Sequence, residues 1–379
     1  MRKKYDRLGR IILLSLGLAL AFAALVLTVA PAKAQPGVGN DYCLSCHDKP
    51  DQIKDLPSGE QLYLTIDPAL YAESVHGQGG YACVQCHTEI RTFPHPELKA
   101  QDRRDVTLAM YITCKQCHSG NFEKTLDSVH QKALEEGDKN AAVCSDCHNP
   151  HAQQRLTNPD TRQLLPRAHV QIPQTCARCH SEIYDQYKRS VHGSALTAYL
   201  NPDVPTCIDC HGVHNIQDPT TTAFRLKSPE RCAQCHTDPA RMSKYDVSTD
   251  VLNTYLADFH GSTVTLFEKQ SPDQITNKPV CFDCHGIHDI AQPGDPQKGL
   301  QVKENLLTTC QKCHPDATTN FPDAWLSHYV PSPEKNPLVY YVNLFYQFFI
   351  PGVIGGMVIF VASDVWRRFI RRRKGAAHS

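Results

Sequence analysis

The sequence predicts a mostly α-helical chain with long loops, little or no β-sheet and one C-terminal transmembrane helix. Three observations support this prediction. Short patterns of helical spacing recur between cysteine pairs, all 18 cysteines fall into one recurring motif, and an uncharged run from Leu338 to Ser363 is 26 residues long. A helix needs about 20 apolar residues to cross the hydrocarbon core of a bilayer, so this run is long enough to span it with some tilt.

The cysteines occur in nine copies of the pattern CxxCH, and none is left over. The cysteine pairs are Cys43 and Cys46, Cys83 and Cys86, Cys114 and Cys117, Cys144 and Cys147, Cys176 and Cys179, Cys207 and Cys210, Cys232 and Cys235, Cys281 and Cys284, and Cys310 and Cys313. The histidines that follow them are His47, His87, His118, His148, His180, His211, His236, His285 and His314.

Three other uses of CxxC do not explain this pattern. A disulfide scaffold does not require histidine after every pair, zinc ribbons do not require it at one fixed position, and a thioredoxin-like site has a single CxxC. Two thiols three residues apart can form thioethers with the two vinyl groups of one haem, and the next residue then lies beneath the iron, where imidazole is a good axial ligand. The pattern therefore predicts nine covalently attached haem c groups, with the motif histidines as proximal ligands.

The N-terminal segment has the features of an export signal. Five basic residues fall within residues 1–10, an apolar run from Ile11 to Ala30 follows, and Ala32-Lys33-Ala34 provides a small-x-small cleavage site. We interpret residues 1–34 as a signal peptide cleaved before Gln35. Because the apolar run is long, an uncleaved N-terminal anchor is the alternative. Both interpretations place the haem region outside the cytoplasm, where c-type haem is attached.

The C-terminal run is flanked as a membrane span would be. Tyr340, Tyr341 and Tyr346 lie at one end and Trp366 at the other, as in the aromatic belts of membrane proteins. The basic residues that follow are Arg367, Arg368, Arg371, Arg372, Arg373 and Lys374. The positive-inside rule assigns this tail to the cytoplasm. We therefore predict a Pro-rich linker over 331–337, a single transmembrane helix over 338–363 in the cytoplasmic membrane, and a cytoplasmic tail over 364–379, with the haem domain on the periplasmic side.

The formal net charge of zero hides an acidic exported region. Residues 1–34 and residues 364–379 each contain six basic residues and one acidic residue, so the remainder has 27 basic and 37 acidic residues, a net charge of −10. Haem propionates add further negative charge. An acidic electron-transfer domain favours partners with basic docking faces and excludes nucleic acid as a partner.

A second set of histidines recurs in register with the motifs. Over Ser181–Gly193, Ile183, Tyr187 and Val191 share one helical face, and Gly193 suits the position that stops a helix just after His192. The histidines at such predicted helix ends are His76, His130, His192, His260 and His328. Those that follow a motif closely are His95, His151, His214 and His288. These nine residues are the predicted distal ligands, with His169 in reserve for His95.

The alternation of motifs and spare histidines predicts the organisation of residues 35–330. Each two-haem repeat has a CxxCH, a helix-end histidine, a second CxxCH and a post-motif histidine. Four such repeats and one final single-haem unit account for nine haems. With about one haem per 33 residues, we expect the haems to form most of the core.

Residues 41–328 resemble the multihaem c-type cytochromes. The resemblance rests on the paired CxxCH motifs, the SVHG segments at His76 and His192, and the CHxxH segments that end at His151, His214 and His288. The nearest likeness is to the cytochrome c3-like and the octahaem tetrathionate reductase and hydroxylamine oxidoreductase groups. It implies low-spin haems with two histidine ligands that conduct electrons. No CxxCK motif occurs, so the lysine-ligated catalytic haem of nitrite and tetrathionate reductases is not expected.

Two functions compete at this point. The first is an electron carrier, or an electron-transfer subunit of an oxidoreductase complex, that connects a membrane partner with exported redox proteins. Since the predicted span has no histidine and no ionisable residue, a cytochrome b or quinone-binding subunit is expected beside it, and Gly352 and Gly356 form a GxxxG surface for close helix packing. The second function is a reductase or oxidase of a small nitrogen or sulfur compound, which needs one haem with an open iron position. The matched count of nine distal histidines favours the first.

Overall fold

The computed structural model describes residues 39–325 and 328–376, so the predicted signal peptide lies outside the described residues. The chain is mostly helical, as predicted. The sheet in the described part consists of two short antiparallel strands, Ile53–Asp55 and Gln61–Tyr63, with Ile53 opposite Tyr63.

The described chain forms two compact units. One comprises the residues up to Leu126 together with His130–Leu156, and the other comprises Asp127–Val129 and the chain from Thr157 onward. Besides the two strands, the helices up to residue 156 are Asn40–His47, Pro68–Glu73, Val75–Gln78, Cys83–Cys86, Arg103–Met110, Lys115–Thr125, Val129–Glu135 and Cys144–Cys147, with a 3-10 turn at Tyr111–Cys114.

The remainder of the chain is helical between long loops. Its helices are Pro166–Cys176, Ser181–Arg189, Val191–Tyr199, Cys207–His211, Thr222–Leu226, Ser228–His236, Pro239–Met242, Val251–Ala257, Phe259–Gln270, Cys281–His285, Lys303–Gln311 and Pro337–Ala376, with 3-10 turns at Ser243–Tyr245 and Pro322–Ala324.

The helical pattern around His192 belongs to two helices. The first helix ends at Arg189, Ser190 is the N-cap of the next, and the Ser190 hydroxyl accepts a hydrogen bond from the Gly193 backbone N–H at 3.0 Å. The prediction that Gly193 stops a helix is therefore wrong. A serine side chain that satisfies an otherwise unpaired N–H starts a helix effectively, and here it does so three residues before the glycine.

The same break occurs elsewhere in the chain. Ser74 and Asp258 stand at the position of Ser190 and cap helices that begin at Val75 and Phe259. Four of the five histidines predicted at helix ends, His76, His130, His192 and His260, are instead the second residues of helices. The fifth, His328, lies in a turn.

Glycine is required where each of these breaks folds the chain back sharply. A Cβ atom on Gly77, Gly193 or Gly261 would lie 2.0, 1.8 or 2.1 Å from the backbone oxygen of the tyrosine six residues earlier. Contacts this short are not found between real atoms, and the obstructing atom is backbone, which cannot rotate away. Only glycine therefore lets the two helices meet at so tight a corner.

The tyrosines at these corners connect each helix pair to the next motif. Tyr71 donates its phenolic hydrogen bond to the Tyr81 carbonyl at 2.7 Å, and Tyr187 donates to the Pro205 carbonyl at 2.7 Å. Tyr255 does the same to the Pro279 carbonyl at 2.9 Å. Each acceptor lies two residues before a motif cysteine. Burial raises the pKa of Tyr187, so this phenol stays protonated as the hydrogen bond requires.

Side-chain packing forms only a small apolar core. Leu226, Val264 and Val280 form one buried cluster, against which Phe267 and Phe282 pack. Among the described residues, the largest fully buried side chains are those of Leu196, Val280, Pro173 and Ser74. A chain of this length normally buries many large side chains, and few are buried against other side chains in the described part of this one.

The C-terminal helix is long and exposed. It spans Pro337–Ala376, and its segment Pro337–Arg371 is long and apolar enough to cross a membrane, with none of its apolar residues buried in the structure. Pro351 lies inside it. The helix begins within the predicted linker, at Pro337, and proline is well suited to the first turn of a helix.

We expect the substitution Gly193→Ala to destabilise the protein by about 1–3 kcal/mol, because the new methyl group forces the two helices apart. Gly120→Ala is the matched control. Gly120 also lies in a helix, but nothing is within 4 Å of its added Cβ. Alanine is favoured over glycine in helices by up to about 1 kcal/mol, so this variant should be as stable as the unchanged protein or slightly more. Guanidinium unfolding followed by circular dichroism measures both, and equal midpoints for the two variants would contradict the steric argument.

Candidate functional site

The second motif of each predicted repeat forms a one-turn helix with its own cap. These helices begin at Cys83, Cys144, Cys207 and Cys281. In each helix, the residue that precedes the second cysteine accepts a hydrogen bond through its side chain. The donor is the backbone N–H of the residue that precedes the first cysteine. The donors and acceptors are Ala82 and Gln85, Val143 and Asp146, Thr206 and Asp209, and Val280 and Asp283, at 2.6–2.7 Å. The cap fixes the two cysteines on one turn.

Two of these capping carboxylates are also held by arginine from a preceding helix. Arg104 binds both oxygens of Asp146 at 3.0 and 2.8 Å. Arg225 binds both oxygens of Asp283 at 3.0 and 2.6 Å. Both pairs are only partly exposed. Arg225 uses two nitrogens, one for each oxygen of Asp283, and such a bidentate pair fixes orientation as well as distance. Arg104 contacts both oxygens of Asp146 through Nη1 alone, so it fixes chiefly the distance.

The first motif of each repeat has a different setting. It lies at or near the C-terminal end of a longer helix or helical stretch. The motif helices Asn40–His47, Pro166–Cys176, Ser228–His236 and Lys303–Gln311 contain its first cysteine, and the 3-10 turn Tyr111–Cys114 ends on it. The motifs thus alternate between free-standing, capped turns and the ends of longer helices.

In two of the CHxxH sequences, glycine determines the backbone conformation between the motif histidine and the predicted distal histidine. Gly212 and Gly286 both have φ of +81°, a conformation that side chains rarely adopt. A Cβ on Gly286 would also lie 2.6 Å from the Asp289 carboxylate. The turn that glycine permits sends His214 and His288 away from the motif histidine three residues earlier.

The histidines come together in pairs, each made of one motif histidine and one of the predicted distal histidines. In the unit with residues up to Leu126 and His130–Leu156, the pairs are His47 with His95 at 6.1 Å between ring centres, His76 with His118 at 6.2 Å, and His87 with His151 at 6.0 Å. In the other unit they are His192 with His236 at 6.2 Å, His211 with His288 at 6.0 Å, His260 with His314 at 6.3 Å, and His285 with His328 at 6.2 Å.

This spacing fits a metal ion between two imidazole rings. Imidazole nitrogens bind metals of the first transition row at about 2.0–2.1 Å, so two rings on opposite sides of one ion have their centres about 6.3 Å apart. The seven observed spacings, 6.0–6.3 Å, all lie close to this value. Rings in direct stacking contact would also be allowed to approach more closely. The residues present therefore fit an iron with two histidine ligands, as in a bis-histidine haem.

Hydrogen bonds leave the Nε2 atoms of several histidines available. The Nδ1 atom of His47 lies 2.9 Å from the Leu64 carbonyl, that of His76 lies 3.0 Å from the Pro150 carbonyl, and that of His95 lies 3.0 Å from the Pro96 carbonyl. A carbonyl oxygen can only accept a hydrogen bond, so Nδ1 carries the hydrogen and Nε2 keeps its lone pair. Such a second-shell bond is typical of metal-bound histidine.

His169 has the opposite arrangement. Its Nε2 atom lies 2.7 Å from the Val204 carbonyl, so Nε2 is the protonated nitrogen and has no lone pair for a metal. The structure places His95, and not this reserve residue, opposite His47.

Burial keeps several of the paired histidines neutral. It lowers the pKa of His192 and of His285 to about 4, together with a smaller effect of the neighbouring rings of His236 and His328. Burial is also the main reason that the pKa of His151, His211 and His288 is lowered. Neutral imidazole is the form that binds metals.

Cysteines of successive motifs lie next to each other. The thiols of Cys114 and Cys144 are hydrogen-bonded, which raises the pKa of Cys114 and lowers that of Cys144 to about 7. The same kind of contact joins Cys176 to Cys207, and Cys232 to Cys281. Successive motifs within each unit are therefore spatial neighbours. None of the 18 cysteines, all of which lie in the described part of the chain, forms a disulfide.

The structure adds residues that the sequence analysis missed. The capping carboxylates Asp146, Asp209 and Asp283 recur just before the second cysteine of a motif, and the tyrosines recur five residues before His76, His192 and His260. Both were visible as repeats, but only the hydrogen bonds reveal their roles. His130, His148, His180 and His214 also make interactions with other groups.

Comparison with known proteins agrees with this geometry. Residues 163–237 match the family described as cytochrome c7 and related cytochrome c. This segment contains three of the motifs, which begin at Cys176, Cys207 and Cys232. The chain is also similar to the multiheme cytochrome MtrA of Shewanella baltica (strain OS185), with 25% identity over 296 residues that cover 73% of this chain and 77% of that protein.

Proposed function

Because this chain is a multihaem c-type cytochrome with an electron-transfer role, we propose that it binds nine haem c groups and passes electrons between a membrane partner and exported redox proteins. The pairing of motif and distal histidines at 6.0–6.3 Å is the observation that carries this proposal. Bound haem supplies one-electron redox chemistry at its iron. The motif cysteines would attach it, and the paired histidines would bind its iron.

The ligand assignment follows the seven pairs. The helix-start residues His76, His192 and His260 are paired with His118, His236 and His314. The other distal residues His95, His151, His288 and His328 are paired with His47, His87, His211 and His285. We assign the two remaining motifs, at His148 and His180, to the two remaining distal candidates, His130 and His214. In none of the seven pairs does a distal histidine serve the motif nearest before it, and His95 and His328 serve the motif one further back.

The order of electron flow follows from the cysteine contacts. Within each unit, motifs that follow one another in the sequence have neighbouring cysteines, as for Cys114 and Cys144 and for Cys232 and Cys281. Haems attached to adjoining cysteines would lie close together, and electrons would pass most readily between such close centres. We therefore propose that electrons follow the order of the motifs within each unit, with the motif of His314 at the end next to the C-terminal helix.

The C-terminal helix supports a membrane location. Its apolar segment is unburied along its length, with Phe348 74% and Phe360 73% exposed. We propose that it anchors the chain in the cytoplasmic membrane, with the haem domain outside and the basic tail in the cytoplasm. The helix has no histidine between Pro337 and Arg371. A neighbouring subunit that binds haem b or quinone is therefore proposed as the direct partner.

Electron paramagnetic resonance and intact mass test the ligand assignment. The unchanged protein should carry nine haems by mass and show no high-spin iron. Removing one distal imidazole, in His288→Ala, should leave the haem of His211 with an open position, since the ring opposite it is lost. One haem in nine should then become high-spin and bind carbon monoxide.

His169→Ala is the matched control and should remain fully low-spin, because the Nε2 atom of His169 is hydrogen-bonded to Val204. A high-spin haem in the unchanged protein would instead favour the reductase or oxidase function. Fewer than nine haems would reject the count.

The angles between paired rings predict two kinds of low-spin signal. The four pairs whose distal histidine lies in a loop or turn have ring planes 6–22° apart. The three pairs whose distal histidine lies at the start of a helix have ring planes 43–63° apart. Near-parallel imidazoles split the iron d orbitals strongly and give a rhombic signal. Crossed imidazoles split them weakly and give a signal with one very large g value. We expect both signals, with His192→Ala reducing only the second. A single rhombic signal would disagree with the observed angles.

A pull-down from detergent-solubilised membranes tests the proposed partner. The unchanged protein should bring down a subunit that contains haem b or quinone. Gly352→Leu with Gly356→Leu should lose it, because nothing lies within 4 Å of either added Cβ in the chain itself and the bulk would obstruct only a neighbouring helix. Val358→Leu, at another exposed position of the helix, is the control and should retain it. Absence of any membrane subunit with the unchanged protein would refute the partner.

A further inference from the structure

One of the helix-start histidines has a different residue at its N-cap. Ser74 and Ser190 cap the helices of His76 and His192, whereas Asp258 caps the helix of His260. Serine and aspartate are about equally good N-caps. Helix capping therefore does not explain why a charged residue occurs at this one place, beside the last two motifs.

Asp258 lies between the distal histidines of those two motifs. Its Oδ2 atom accepts a hydrogen bond from the Trp325 indole N–H at 2.7 Å. The same oxygen lies 4.0 Å from His260 Nδ1. The Trp325 ring in turn stands edge-on to the His328 ring, with 5.8 Å between ring centres. One carboxylate is thus held in a fixed place next to the ligands of two haems.

The position of this charge is unlike that of the other carboxylates near the motifs. Asp283 faces Arg225, which neutralises it. Asp258 makes no ion pair with a lysine or arginine among the described residues. Its negative charge also acts on His328. Burial lowers the pKa of His328, and Asp258 raises it. The nearest polar hydrogen on it belongs to a neutral indole.

A fixed negative charge acts on the two oxidation states of a haem iron differently. Ferric haem carries one more positive charge than ferrous haem, so a nearby carboxylate stabilises the ferric form. Charges held close together on a protein interact appreciably, because the effective dielectric constant there is well below that of water. An effect of this kind is large enough to distinguish two haems from seven others.

We propose that Asp258 is a positioning residue that lowers the reduction potential of the two haems bound by His260 and His314 and by His285 and His328. This inference rests on the ligand assignment given under the proposed function. These haems belong to the last two motifs before the C-terminal helix. A lowered potential there makes them stronger reductants than their neighbours, which favours the passage of electrons from them toward the other haems.

A spectroscopic potentiometric titration of the full-length, haem-loaded protein tests the proposal. In Asp258→Asn the side chain keeps its shape and its capping oxygen, and it loses its charge together with the acceptor of the Trp325 indole hydrogen bond. Up to two of the nine haems should then be about tenfold more reduced at a given potential, a rise of about 59 mV for a one-electron step. Asp258→Glu keeps the charge and should restore most of the original titration curve.

Asp295→Asn is the matched control. Asp295 is a carboxylate in the same unit that accepts hydrogen bonds from the backbone N–H groups of Gln297 and Lys298, and its loss should leave the curve unchanged. Trp325→Phe removes the indole donor while keeping a ring, and should produce a partial rise in the reduction potential.

An unchanged titration curve in Asp258→Asn, with nine low-spin haems present, would overturn the proposal and leave the proposed function intact. High-spin iron in Asp258→Asn but not in Asp258→Glu would also overturn it, since Asp258 would then hold a ligand in place. A protein without nine low-spin haems would instead reject the proposed function itself.

Discussion

The structure depends on one distance, the spacing of about 6 Å between two imidazole rings that are remote in the sequence. His211 and His288 are 77 residues apart and His47 and His95 are 48 apart, yet all seven pairs have nearly the same spacing. A small apolar core cannot impose such uniformity. The caps, tyrosine hydrogen bonds and glycine corners do so locally, because each fixes one histidine relative to one motif. The fold is therefore best understood as a series of ligand-holding corners.

The second repeat shows that the tyrosine, the glycine and the short break between the two helices depend on one another. In three repeats, a single capping residue separates the helix that carries the tyrosine from the helix that carries the histidine, and glycine follows the histidine. In the second repeat the break is three residues long, from Leu126 to Ser128, the tyrosine position is Thr125, and Gln131 follows His130. A longer break removes the close approach that excludes a Cβ. Tyrosine and glycine are thus lost together, as expected if both serve the same tight corner.

The sequence predicted the chemistry better than the local geometry. Motif counting and the uncharged C-terminal run predicted the fold class and the long C-terminal helix, and each of the seven ring pairs contains one histidine of the predicted distal set. It misplaced those histidines at helix ends, because the periodicity of Ile183, Tyr187 and Val191 continues across a break that only the Ser190 cap reveals. It could not choose partners, since a ring 42 to 77 residues away in the sequence is selected by tertiary folding. The carboxylates before the second cysteine were overlooked because a single CxxCH gives no sign that the residue between acts as a cap.

The two settings of the distal histidines explain why the ring angles fall into two groups. A distal histidine at the second position of a helix has its ring direction fixed by the cap, as at His192 after Ser190. A distal histidine in a loop after a motif is oriented by a turn instead, as at His288 after Gly286. The first kind meets its partner at 43–63° and the second at 6–22°. Since ring orientation affects the electronic structure of a bound iron, the choice between a helix start and a loop is itself a means of making successive haems different. The chain can thus vary its redox centres while every centre keeps the same two ligands.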